Sequence, residues 1–154
     1  MSLRHPYPWR YGPAVSPDAT ADGPEVELAR GVIRAWVHGD LDWLVEHATP
    51  DVELRPFMWT DLPFRGIDGM TAFVKEFLAV RTPLKMEVES VRKAADPVAL
   101  EVHLRGHLHM SDADLDEHPT FVFWVRDGKL ARYEGHIDPA AIEEATARSL
   151  PGGG

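Results

Sequence analysis

The residues best suited to chemistry are histidines spaced along one strand-like run. In Val98–Met110, the residues Val98, Leu100, Val102, Leu104, Leu108 and Met110 alternate with Glu101, His103, Arg105, His107 and His109. A strand sends the two sets to opposite faces and leaves His107 and His109 about 6.5–7 Å apart. A hairpin centred near Ala113 brings His118 toward His109, with Asp112, Asp114 and Asp116 close by. Three imidazoles flanked by carboxylates can hold zinc, nickel or copper. His103 lies too far along the strand to join them. There is no cysteine and no helical His-Glu-x-x-His to support the site, so no metal is assigned. An interface between subunits, sensitive to pH, is the plainer expectation for this face.

The elements that must position these side chains are legible in the hydrophobic pattern. From Glu25, the residues Leu28, Val32, Ile33, Trp36 and Val37 form one helical stripe that Gly39 ends. Asp40 caps a second short helix with Leu41, Trp43, Leu44 and Ala48, stopped by Pro50. A short strand, Val52–Arg55, and an irregular loop from Pro56 to Arg65 precede a third helix after Gly66. That helix carries Ile67, Met70, Phe73, Val74, Phe77 and Leu78 on one face. The second half turns to period two: Lys85–Ala94, Val98–Met110, an acidic turn at Ser111–Asp116, then Pro119–Arg126 and Lys129–Ile137, joined by an Asp127-Gly128 hairpin. Asp138-Pro139 opens a final short helix. Helices first and four or five antiparallel strands later make an α+β domain.

Length and charge bound the rest. The 154 residues suit one domain, here 25–148, between a proline- and aromatic-rich arm at 1–24 and a flexible tail at 149–154. The arm is expected to pack back through Tyr7, Trp9 and Tyr11. A net charge of −9 repels phosphate backbones and anionic membranes, so no nucleic-acid or membrane partner is expected. The longest strongly apolar run, Phe121–Val125, is far short of a membrane span, and the expected location is cytoplasmic. No Gly-x-Gly-x-x-Gly, P-loop or nucleophile elbow is present, which points to action without a cofactor.

Four motifs occur in order: Trp36–Leu44 (WVHGDLDWL), Pro50–Arg55 (PDVELR), Phe64–Phe73 (FRGIDGMTAF) and Val125–Pro139 (VRDGKLARYEGHIDP). Together they resemble the SnoaL-like branch of the nuclear transport factor 2-like superfamily over Glu25–Ala147. Polyketide cyclases, limonene-epoxide hydrolases and ketosteroid isomerases are similar. The resemblance implies a cone-shaped domain with three N-terminal helices on a strongly curved antiparallel sheet and a short C-terminal helix. It also implies an apolar pocket between sheet and helices, and frequently a homodimer through the sheet face.

The catalytic positions of that superfamily do not transfer. The steroid isomerases' tyrosine and aspartate base fall at Val32 and Arg55, and their protonated aspartate at Phe121. The epoxide hydrolases' arginine and two aspartates fall at Val102, Leu104 and Gly135, and their tyrosine and asparagine at Leu54 and Pro56. The cyclases' aspartate also falls at Gly135, between Glu134 and His136. A bulge at Gly135 would turn one of those two into the pocket.

On the resemblance, the pocket is lined by Trp36, Leu54, Trp59, Phe73, Phe77, Val102, Leu104 and Phe121, an aromatic lining that suits a ring-containing ligand. The polar groups within reach are Tyr133, which offers a hydroxyl, and Glu117, which shares the parity of Phe121 and Phe123. Asp61 lies in the loop that borders the pocket, and His136 is the fourth acid/base candidate. The expected function is cofactor-independent isomerisation, cyclisation, dehydration or hydrolysis of a hydrophobic cyclic substrate. The competing reading is a non-catalytic ligand-binding or accessory protein of the same fold, and a third places a metal on the outer histidine face.

Overall fold

Burial of the stripes and alternations above accounts for most of the architecture. The computed structural model describes residues 23–56, 63–94, 96–108 and 113–150, with the side chains of 77–84 and 108 set aside. Most of the arm, Trp59, Asp61, the Phe77 side chain, His109, Asp112 and residues 151–154 therefore lie outside the described residues.

Helix α1 (Pro24–His38) starts on a proline with Glu25 and Glu27 in its first turn, where carboxylates favour the positive end of the helix. It buries Ala29, Val32, Ile33 and Trp36 and ends on Gly39 at φ 70°, a left-handed residue. The Asp40 side chain accepts from Trp43 N at 3.2 Å and caps α2 (Leu41–Glu46). That short helix stops at Glu46, ahead of Pro50, because the chain enters β1 (Ala48–Arg55).

The stretch expected as an irregular loop ends in a two-residue strand, β2 (Phe64–Arg65), antiparallel to β1. Helix α3 (Gly66–Val80) follows and buries Met70, Phe73 and Val74. Then come β3 (Arg81–Lys93), β4 (Val98–Leu108), β5 (Ala113–Glu117), β6 (Thr120–Arg126), β7 (Lys129–His136) and α4 (Pro139–Thr146).

The sheet is curved and unclosed, ordered β2-β1-β7-β6-β4-β3, with β5 paired to β4 off this path. Two expectations need correction. The sheet is mixed, because β1 runs parallel to β7, with Leu54 opposite Tyr133. An early strand and the last one lie side by side although β2, α3 and the whole meander separate them in the chain, a pairing that local periodicity cannot show. The acidic segment is also no turn: Asp114, Leu115 and Asp116 are strand residues opposite His107, Gly106 and Arg105.

One consequence concerns the return from β4. Val98 pairs with Phe123, Glu101 with Thr120 and Leu104 with Glu117 in one unbroken register, so β5 and β6 form a single return strand interrupted at His118-Pro119. There Val102 N donates to Pro119 O at 2.9 Å. On the far side of β4, the register with β3 slips between Val88 and Ser90, leaving Glu89 as an inserted residue. Among the described residues, no helix is long and apolar enough to cross a membrane.

The main core lies between α1, α3 and the concave face of the sheet. The convex face is not the solvated surface its alternation suggested. Ala99, Val122, Trp124 and Ala145 form a second small core there with Leu150, and Glu101, Thr120 and Glu134 are also buried.

Candidate functional site

Trp36 sits at the centre of the main core because α1 aims its stripe at the concave face. The indole meets Tyr133 edge-on at 4.7 Å, Phe73 at 5.6 Å and Phe121 at 6.1 Å, and stacks on Phe123 at 6.2 Å. Its Nε1–H is buried and has no hydrogen-bond partner among the described residues. A buried donor without an acceptor costs about 1–3 kcal/mol, so an oxygen placed beside it would be favourable. Tyr133 is buried too, and burial holds its phenol well above the usual range, so its hydroxyl stays a neutral O–H donor.

The structure gathers six of the expected lining and donor residues into one cluster: Trp36, Leu54, Phe73, Val102, Phe121 and Tyr133. Leu104 is buried on the same strand face as Val102. Across the ladder from Leu104 stands Glu117, half-buried at the end of β5. Phe64 reaches the cluster from the surface side, 5.5 Å from Phe73, and is itself half-buried. Phe64 and Phe123 were absent from the expected lining. The parity that Phe123 shares with Phe121 pointed to it, whereas nothing in the local pattern pointed to Phe64.

His136 is placed elsewhere. The ladder between β6 and β7 keeps Gly135 opposite Phe121, and its irregularity lies at Ala131 rather than at Gly135. Glu134 and His136 therefore stay on the convex face. There Glu134, 2% exposed, collects Arg132 at 2.6 Å, His136 at 2.8 Å and Arg148 at 2.5 Å, while Arg132 also reaches Glu53 at 3.2 Å. Burial pushes the Glu134 carboxyl up, but the bonds from His136 and Arg132 and the charges of Arg132 and Arg148 outweigh it and bring it down to about 2. This carboxylate is held ionised by cations, which suits a structural anchor better than a proton donor.

The histidine face is also rearranged. The register of β5 on β4 sets His107 opposite Asp114, at 3.1 Å, and brings His118 to His103 instead. The His103 and His118 rings stack at 4.2 Å with 15° between their planes. The grouping of His107 with His118 is thereby corrected, as is the exclusion of His103.

These features define a class. The model of the SnoaL-like domain family matches residues 29–133, more than half the chain, and the chain belongs to that family. Solved structures share the fold. A nuclear transport factor 2-like protein of unknown function from Burkholderia pseudomallei is 14% identical, with a TM-score of 0.65 over 82% of this chain and 100% of its own. A Jannaschia sp. CCS1 protein assigned as a SnoaL-like polyketide cyclase is 20% identical, with a TM-score of 0.64 over 84% and 98%. A Mycobacterium tuberculosis protein in complex with estradiol-17β-hemisuccinate is 15% identical, with a TM-score of 0.63 over 76% and 95%. A search of curated proteins gives no match.

Proposed function

We propose that this chain binds a hydrophobic cyclic small molecule on the concave face of its sheet and transfers a proton on it without a cofactor. The observation that carries the binding is the Trp36 Nε1–H, enclosed by aromatic rings with no acceptor among the described residues. A ring-containing ligand with a carbonyl or hydroxyl oxygen supplies that acceptor and shares the aromatic surroundings. Tyr133, neutral at working pH, is a second donor for a developing oxyanion, and Glu117 is the described carboxylate on the concave side suited to move the proton. Asp61 remains a candidate for the same role. A steroid-bound neighbour of the same fold supports the ligand class.

The second reading, a non-catalytic binder, is favoured by the apolar residues Val32, Phe121, Val102 and Leu104 and by Gly135, which stand where relatives carry their catalytic groups. Native mass spectrometry of the untagged protein, before and after denaturation, reads out any co-purified organic ligand. A steroid and polyketide-like aromatic panel, measured by calorimetry, then tests the site. Trp36→Phe is expected to weaken the best oxygen-bearing ligand about tenfold, the equivalent of ~1.4 kcal/mol for one hydrogen bond. Equal binding by the variant would remove the indole from the site. Turnover that disappears in Glu117→Gln, with binding retained, selects the enzyme. Binding with no turnover across the panel selects the binder.

A further inference from the structure

The strands flanking β4 bring two side chains to the same level of it. The inserted Glu89 lies on the β3 side between the pairs Val88–Val102 and Ser90–Glu101, and on the other side the unbroken register of β5 and β6 sets His118 opposite His103. The insertion takes Glu89 out of the regular alternation, and bulges of this kind commonly re-aim a residue beside a functional site. Glu89 and His118 thus converge on His103 from both flanking strands.

We propose that Glu89, His103 and His118 form a binding site for one divalent transition-metal ion, zinc foremost, on the convex face of the sheet, separate from the aromatic cluster. One donor atom from each of the three residues lies within 4.8 Å of the others. His118 Nδ1 and Glu89 Oε1 are 3.0 Å apart, within a few tenths of an ångström of the ~3.4 Å that two ligands bonded at about 2.1 Å span across a tetrahedral edge. Two imidazoles and a carboxylate are the donor set of many zinc sites and of open sites for other first-row ions. Side-chain exposures of 20% for His103, 34% for His118 and 19% for Glu89 leave the donors partly desolvated and one side open to water or a further ligand.

The outer groups fit the same assignment. His103 Nε2 stands 2.7 Å from Asp116 Oδ1, so Nε2–H donates to that carboxylate and Nδ1 carries the lone pair that a metal needs. The Glu87 carboxylate, 4.0 Å from His103 Nδ1, adds negative potential and is itself steadied by Arg105 at 3.4 Å. The near-parallel stack means that one ring must turn about its own axis to aim both lone pairs at one ion. Metal binding should therefore break the stack, shifting the ring resonances of His103 and His118 and leaving those of His107 in place.

The test uses the untagged full chain after chelator treatment and desalting, titrated with ZnCl2 by calorimetry and with CoCl2 by visible absorption. One equivalent of ion is expected to bind. His103→Ala and His118→Ala should each weaken it at least tenfold, and His107→Ala should leave it within twofold. Glu89→Gln, which keeps the side-chain shape, should weaken it without a change in far-ultraviolet circular dichroism and guards against loss through misfolding. Absence of stoichiometric binding overturns the proposal. So does binding that survives His103→Ala and His118→Ala, or that disappears in His107→Ala alone.

Discussion

At the scale of single residues, the most informative groups are buried polar ones, because their environment fixes what they can do. Glu134 is the clearest case. Its carboxyl titrates in the folded chain at about 2, below the roughly 4.3 of a free glutamate, so the unfolded chain binds the proton more tightly. The resulting stabilisation is fully present above about pH 4.5 and is lost as pH falls toward 2, worth ~1–3 kcal/mol over that window. Urea denaturation followed from pH 7 to pH 2 should show this acid limb. Glu134→Gln should flatten it and lower stability at pH 7 by about 2 kcal/mol, since Arg132 and Arg148 lose their shared counter-charge. An unchanged acid limb in the variant would assign it to other carboxylates. On the concave side, the equivalent informative atom is Trp36 Nε1. Tyr133→Phe should weaken an oxygen-bearing ligand as Trp36→Phe does, while an all-hydrocarbon ring ligand should bind both variants as well as the parent.

At the scale of elements, close packing decides which glycines are replaceable. Gly69 in α3 faces the β2 backbone: a methyl group there would stand 2.9 Å from the Phe64 carbonyl carbon. A backbone atom cannot swing aside as a side-chain tip can, so Gly69→Ala should cost about 1–3 kcal/mol by urea denaturation. It should also disturb Phe64, which packs against Phe73 of the aromatic cluster. Gly128 offers the contrast. It has open space around its missing methyl, but with Asp127 at φ 52° and itself at φ 77° it makes a tight turn of the kind Asp-Gly favours. Gly128→Ala should cost only about 1 kcal/mol, through backbone strain alone. Equal costs for the two variants would contradict the packing argument.

At the scale of the whole molecule, one curved sheet keeps two different environments apart. The concave face is aromatic. The convex face combines a small core under α4 with buried carboxylates and a charged histidine surface on β3, β4 and β5. The Trp124 Nε1–H donates to Arg148 O at 2.9 Å and Leu150 N to Asp96 Oδ2 at 3.1 Å, so the chain beyond α4 is tied onto this face. A ligand on the concave face and a metal on the convex one should thus stabilise the fold independently. At one hundred times its dissociation constant, each adds about 2.7 kcal/mol and raises Tm by several degrees. Differential scanning fluorimetry with both present should give close to the sum of the two increments. A clear deficit would mean that the two faces communicate.

Much of this was written in the sequence, because it depends on near neighbours along the chain. The stripe Val32–Trp36, the Gly39 stop, the Asp40 and Asp138 caps and the Asp127-Gly128 turn are local chemistry, and each stands where its residues demand. The alternation of Val98–Arg105 likewise assigned Val102 and Leu104 to one face and His103 to the other. The pairing of β1 with β7, the burial of Glu101 and Glu134 and the meeting of Glu89, His103 and His118 were not legible in that way. Each depends on where a distant segment comes to rest. For the histidines, the register of β5 and β6 on β4 made His103, in place of His107, the neighbour of His118. Side-chain periodicity specifies a face, but only the assembled ladder specifies an opposite number. For that reason the sequence determined which residues are apolar, aromatic or ionisable on each face, and the tertiary structure alone decided which of them meet.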